Sequence, residues 1–170
     1  MGNNAESYDR LFALGTEMIR IHDWLRGELG RLKDEVDAHL DGQGERPRDL
    51  RAHCLSFCGA VREHHTGEDT GAFPLLARRF PELRPTIEKL EQDHVLVSGL
   101  LENLRQLIES IPSQPGKAEA GRIRTELDGL NAILESHFSF EERRIVDALN
   151  SLPSSVGSTE SLLGIAAPRR

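Results

Sequence analysis

The chain has 170 residues, 38% of them hydrophobic and 29% charged, with a formal net charge of −7 at neutral pH. That length fits one domain with a modest core, and the acidic balance excludes nucleic acid as a partner, because phosphate recognition needs clustered Lys and Arg. No stretch approaches the roughly 20 apolar residues of a membrane span. The opening Met1-Gly2-Asn3-Asn4-Ala5-Glu6 has neither the basic charge nor the apolar run of a secretion signal, so a cytoplasmic protein without membrane association is expected.

Aromatic residues make up only 5%, and no run of alternating β-branched residues suggests a sheet, so the expected class is all-α. From about residue 6 to residue 39, Leu11, Leu14, Met18, Leu25, Leu29, Leu32 and Val36 recur at steps of three and four, which predicts a first helix with one apolar face. His22 falls inside that stripe and, once buried, needs a hydrogen bond or a metal. Asp41 to Pro47 reads as a loop, with Pro47 suited to the first turn of the next helix.

The second helix carries Leu50, Cys54, Phe57, Val61, His64 and Glu68 on one face. His64 and Glu68 are four residues apart, so their side chains stack one above the other and share one potential metal site. His65 and Asp69 have the same spacing but are turned about 100° around the axis. That places them on a flank, as the competing ligand pair. Cys54 and Cys58, also four apart on a helix, are read as buried thiols, with a redox pair or a soft-metal site including His53 as the alternative. Gly67, Gly71 and Pro74 predict a bend just past the His64 to Glu68 turn.

After Phe80 to Pro85, the third helix presents Ile87, Leu90, Val97, Leu101, Leu104 and Ile108, with His94 in the same stripe. A loop at Ile111 to Gly116 leads to a fourth helix whose inward positions are Leu127, Leu130, Leu134, His137, Glu141, Ile145 and Ala148. His137 and Glu141 repeat the four-residue spacing. The predicted architecture is an antiparallel up-down-up-down four-helix bundle over residues 6–150. Residues 151–170, rich in Ser, Gly and Pro, form a flexible C-terminal tail whose Leu162, Leu163 and Ile165 can dock on the bundle or bind a protein partner.

Depth along the helices gives an independent check. Counted outward from the loops at about 1.5 Å per residue, His22, His64, Glu68, His94 and His137 come to one layer, within one or two turns of each other. Four imidazoles and two carboxylates in a dry core carry a heavy desolvation cost without a cation. A single structural zinc needs only about four ligands and favours cysteine and histidine, whereas six N and O ligands with two carboxylates able to bridge suit a pair of iron or manganese ions. His39 is expected to sit solvated at the end of the first helix or to interact favourably with the helix C-terminus. His53, about 16 Å along the axis from His64, is expected to lie outside the cluster.

The ordered set of His22, His64-x-x-x-Glu68, His94 and His137-x-x-x-Glu141 resembles the hemerythrin-like family, the histidine-histidine-glutamate cation-binding domain. Ile21-His22-Asp23-Trp24-Leu25-Arg26 and Glu63-His64-His65-Thr66-Gly67-Glu68-Asp69, followed by Phe73-Pro74, look like its bacterial branch, and the resemblance covers about residues 8–150. It implies two Fe ions, oxo- or hydroxo-bridged, inside a four-helix bundle, with Mn or Zn as lesser alternatives. By the same resemblance Glu68 and Glu141 bridge, His22 and His64 bind one iron, and His94 and His137 bind the other. The sequence departs from the oxygen-carrying members on the third helix, where they place two histidines one turn apart and Leu90 and Ser98 flank His94 here. The implied function is to bind oxygen, nitric oxide or peroxide. An enzyme removing peroxide or nitric oxide is the first alternative and iron storage or delivery the second.

Overall fold

A computed structural model describes residues 12–42 and 47–168. The predicted helix start near residue 6, with Leu11, lies outside the described residues, as do the loop residues 43–46. The long helices are α1 (Leu14–Leu40), α2 (Pro47–Gly67), α4 (Arg84–Glu109) and α5 (Lys117–Asn150), with two short ones, α3 (Phe73–Arg79) and α6 (Thr159–Leu163). No strand occurs among the described residues, and no helix there is long and apolar enough to cross a membrane. The fold is all-helical.

The apolar stripes explain the packing. α1 buries Met18, Ile21, Leu25, Leu29, Leu32 and Val36, and α4 buries Ile87, Leu90, Val97, Leu101, Leu104 and Ile108, each at three-four spacing. α1 packs against α2 and α5, and α4 packs against the same two helices, so the four enclose one core. On α5 the last inward position is Leu149 rather than Ala148, because a stripe stepped over 34 residues drifts around the axis.

Between α2 and α3 the chain does not stop or simply bend; it widens into a π-helical turn at Glu68–Ala72. The Phe73 N–H donates to the carbonyl of Glu68 five residues back. Pro74, the next residue, has no N–H to give and its ring would press on the carbonyl four residues earlier, so a wider turn is the economical way to carry the helix through it. The extra residue advances the downstream inward positions to Ala72, Phe73 and Leu76, all buried.

Of the two courses expected for the apolar residues of the C-terminal tail, Leu162 and Leu163 take docking on the bundle. Ser158 caps α6 by accepting the Ser161 N–H at 3.1 Å, and Leu162 and Leu163 are buried against the bundle. Arg20 reaches the Pro168 carbonyl at 2.9 Å. The seat is made of glycines: a Cβ on Gly71 would come within 2.6 Å of the Ser161 carbonyl, and one on Gly67 would overlap the backbone of Gly164. Gly164 itself has φ +84°, where a side chain would be strained. We call this C-terminal element the strap.

His39 differs from expectation. It is buried, and its Nε2 lies 3.1 Å from the Pro112 carbonyl, tying the end of α1 to the loop before α5.

Candidate metal centre

Each long helix sends a histidine to the same level. His22 on α1, His64 on α2, His94 on α4 and His137 on α5 are buried, and Glu68 and Glu141 are wholly shut off from solvent. His22 Nε2 lies 3.1 Å from His64 Nε2 and 3.5 Å from Glu141 Oε1, while His64 Nε2 lies 3.2 Å from Glu68 Oε1. On the other side His94 Nε2 is 3.7 Å from Glu68 Oε1, and His137 Nε2 is 3.3 Å from Glu141 Oε2. Each carboxylate therefore stands between imidazoles of two different pairs. The structure brings together all six residues singled out in the sequence.

The outer ring nitrogens show how these imidazoles are oriented. His64 Nδ1 lies 2.7 Å from the Leu163 carbonyl, which can only accept, so Nδ1 carries the proton and the neutral ring turns a bare Nε2 lone pair inward. His94 Nδ1 donates in the same way to Asp69 Oδ1 at 2.7 Å, and His137 Nδ1 to Asp93 Oδ2 at 3.3 Å. Lys89 holds Asp93 at 2.8 Å. His22 Nδ1 faces Glu142 Oε1 at 3.8 Å, too long for a hydrogen bond, and Glu142 is fixed by Arg26 at 2.8 and 2.9 Å. Carboxylates and carbonyls behind imidazoles are the usual means of aiming metal ligands. Asp69, the alternative ligand of the sequence reading, is thus turned to His94 rather than to the centre.

The inward atoms have no such partners. Nε2 of His65, His94 and His137 and all four carboxylate oxygens of Glu68 and Glu141 are buried without a hydrogen-bond partner among the described residues. Each orphaned polar atom of this kind costs roughly 1–3 kcal/mol, and charged ones more. Three overlapping sets, His22 with His64 and Glu141, Glu68 with His94 and Glu141, and His65 with His94 and His137, each keep their ligand-type atoms within 4.8 Å of one another. A cation in their midst would satisfy all of them.

Residues 15–149 match the family model of the hemerythrin HHE cation-binding domain. That span holds every residue of the cluster. The chain belongs to the hemerythrin HHE family. No curated protein and no solved structure matches it.

In this HHE domain burial favours the unprotonated form of His64 and His65, the form a cation requires. Burial pushes His64 down to about 3, helped by the neighbouring His22, and burial together with His94, His64 and His137 holds His65 well below the ordinary histidine range. Burial opposes a charge on His22 as well, but the carboxylates of Glu141 and Glu142 outweigh it and raise that histidine. Burial and the charge of Glu141 push Glu68 far above the ordinary carboxyl range. Without a cation, two enclosed carboxylates this close cannot both be charged.

Several residues around the HHE site were not singled out by sequence. Phe138 stacks on His22 at 4.2 Å, and Phe73, quoted from the sequence only as part of the resemblance, stacks on His94 at 5.5 Å. Asp93 and the Leu163 carbonyl were missed, since neither has a local pattern linking it to a histidine 44 or 99 residues away. His65 was assigned to a flank, yet it is buried. The reason is that α2 touches two neighbours: Phe57 and His64 line one seam, where His64 meets α1, while Cys58 and His65 line a second, facing Leu101 and His94 of α4. Cys58, seven residues before His65 and apolar in character, was the available signal for that second seam. Cys54 and Cys58 are free, buried thiols. His53 turns away to Glu35 at 2.7 Å and Glu28 at 3.0 Å, so it joins neither them nor the centre.

Proposed function

We propose that the chain is a non-haem di-iron protein that binds oxygen, nitric oxide or peroxide at the core of an antiparallel up-down-up-down four-helix bundle. The proposed ligands are His22, His64, Glu68, His94, His137 and Glu141, with the two glutamates bridging. One observation carries this reading: the inward atoms of two buried carboxylates and of His94 and His137 have no hydrogen-bond partner among the described residues, while the outer nitrogens of His64, His94 and His137 are tied down. Packing of α1 and α4 each against α2 and α5 supports the bundle topology.

An iron pair held there would supply redox chemistry toward a small ligand. The chain's own residues set the conditions around it. Phe73 and Phe138 exclude water, and the tautomers fixed by Asp69, Asp93 and Leu163 keep Nε2 directed inward. A cavity of about 280 Å³, lined by Arg62, His65, Thr66, Asp69, His94 and Ser98 among others, leads from the surface to the His65 and His94 side and is the approach for a small ligand.

The test is anaerobic purification with elemental analysis and visible spectroscopy. Two irons per chain, with the absorption of an oxo- or hydroxo-bridged ferric pair, are expected; a folded protein that takes up no iron would refute the reading. The charged and hydroxyl side chains among that cavity's lining, Arg62, Thr66, Asp69 and Ser98, favour turnover of peroxide as the second reading. Oxygen evolution from peroxide well above that of free iron would establish it.

A further inference from the structure

The six proposed ligands leave one inward imidazole unexplained. His65 is 5% exposed, and its Nε2 is buried with no hydrogen-bond partner among the described residues. Its ring lies 3.8 Å from that of His94 at an interplanar angle of 8°, and 5.1 Å from that of His137, edge-on at 76°. Asp69, four residues further along the chain, does not satisfy it, because that carboxylate is engaged by His94 Nδ1 at 2.7 Å.

A buried ring nitrogen facing two other imidazoles has few uses other than a shared cation. The ligand-type atoms of His65, His94 and His137 lie within 4.8 Å of one another. Three nitrogens bound to one ion at about 2.1 Å are at most about 3.6 Å apart, so bringing the three onto one ion takes an inward movement of up to about 1 Å, with His65 and His94 tilting out of their parallel stack. Rotation about the side-chain bonds of His65 and His94 supplies that movement.

We propose that His65 is a seventh protein ligand, adding a third imidazole to the ion held by His94 and His137. The two ions are then unlike: one takes two imidazoles, from α1 and α2, and the other three, from α2, α4 and α5. α2 feeds both through adjacent residues because its two seams face different neighbours. This inference rests on the two-ion reading above, and the experiment separates the failure of one from the failure of the other.

Cobalt(II) is titrated into the metal-free full-length protein and into His65→Phe, His65→Ala and His53→Ala. The phenylalanine keeps a ring stacked on His94 but has no nitrogen, so it separates packing from ligation. Visible cobalt bands report coordination number, growing as ligands are lost. The expected result is two ions in the wild type and in His53→Ala. In both His65 variants one ion should be retained and the other weakened by at least the roughly 10–100-fold that loss of a mere outer partner costs. Added imidazole should restore the wild-type spectrum in His65→Ala. Two tightly bound cobalt ions with unchanged bands in His65→Phe would overturn the role of His65 alone. Failure of the wild type to take up two ions would overturn the two-ion reading, and this inference with it.

Discussion

Replacing Gly67 by Ala adds one methyl group at the tightest point between α2 and the strap. Its Cβ would lie 2.7 Å from the Leu163 carbonyl carbon and closer still to the backbone of Gly164, whereas ordinary contact begins near 3.4 Å. The obstructing atoms are backbone, so no rotamer change relieves the clash and the strap itself must retreat. The bond from His64 Nδ1 to the Leu163 carbonyl, now 2.7 Å, does not survive such a shift. A buried N–H left unpaired costs about 1–3 kcal/mol. If the strap leaves altogether, exposure of Leu162 and Leu163 adds roughly 3–6 kcal/mol. His64 also loses the group that aims it, which weakens metal binding by about 10–100-fold. Gly59→Ala is the control on the same helix. Nothing lies within 4 Å of its Cβ, so the change should stabilise by about 0.5–1 kcal/mol through helix propensity alone. Urea denaturation of both metal-free variants, followed by cobalt titration, reads both effects. Equal stability and metal affinity in Gly67→Ala and wild type would show that the strap does not bear on the centre.

The remaining predictions concern the groups around the imidazoles. Asp69→Asn and Asp93→Asn should each lower metal affinity about 10–100-fold while leaving the helical circular dichroism unchanged, since they release His94 and His137 without touching an inward atom; unaltered affinity in both would remove their orienting role. Glu68→Gln should abolish binding of two ions yet make the metal-free protein more resistant to urea near neutral pH, because it removes one of two buried carboxyls that oppose each other's charge; a less stable metal-free variant would contradict this. His53→Gln should destabilise more at pH 6 than at pH 9. Burial works against a charge on His53, but Glu35 and Glu28 outweigh it and raise the group above its ordinary value. Its contribution is therefore complete below about 6.5, the unfolded value, and fades as pH rises through the folded one. A loss of stability that is flat from pH 6 to pH 9 would show that the pair with Glu28 and Glu35 carries no charge.

Features written into one helix at a time were legible in the sequence. The α4 stripe from Ile87 to Ile108 follows three-four spacing without exception, and the two His-x-x-x-Glu turns announce themselves because residues four apart share a face. Convergence of His22, Glu68, His94 and His137 followed from counting residues to the loops, a calculation that works because the connections are short. What was illegible depends on pairs of distant segments. Gly67 and Gly71 look like weaknesses in a helix until Ser161 and Gly164 arrive to fill the space where side chains would be. The composition of residues 151–168 is that of a loose tail, yet Leu162 and Leu163 bury themselves on this seat. His65 lies 100° from the main stripe, and only the position of α4 beside α2 makes that direction inward.

These misread features converge on one structural point. A site of six or seven buried polar groups destabilises the bundle that contains it, because Glu68 and Glu141 are enclosed together and the facing imidazoles have no neutral partner. The outer shell offsets part of that cost before any cation arrives: Arg26 and Lys89 neutralise Glu142 and Asp93, and the strap caps His64 from outside. Metal binding and folding are then linked, since a cation that binds only the assembled cluster stabilises the folded chain in proportion to its affinity. The strap takes part in that linkage. Docking of Leu162 and Leu163 orients the Leu163 carbonyl, the carbonyl sets the His64 tautomer, and the tautomer exposes the lone pair that a cation needs, so the last helix of the chain and the metal centre strengthen each other.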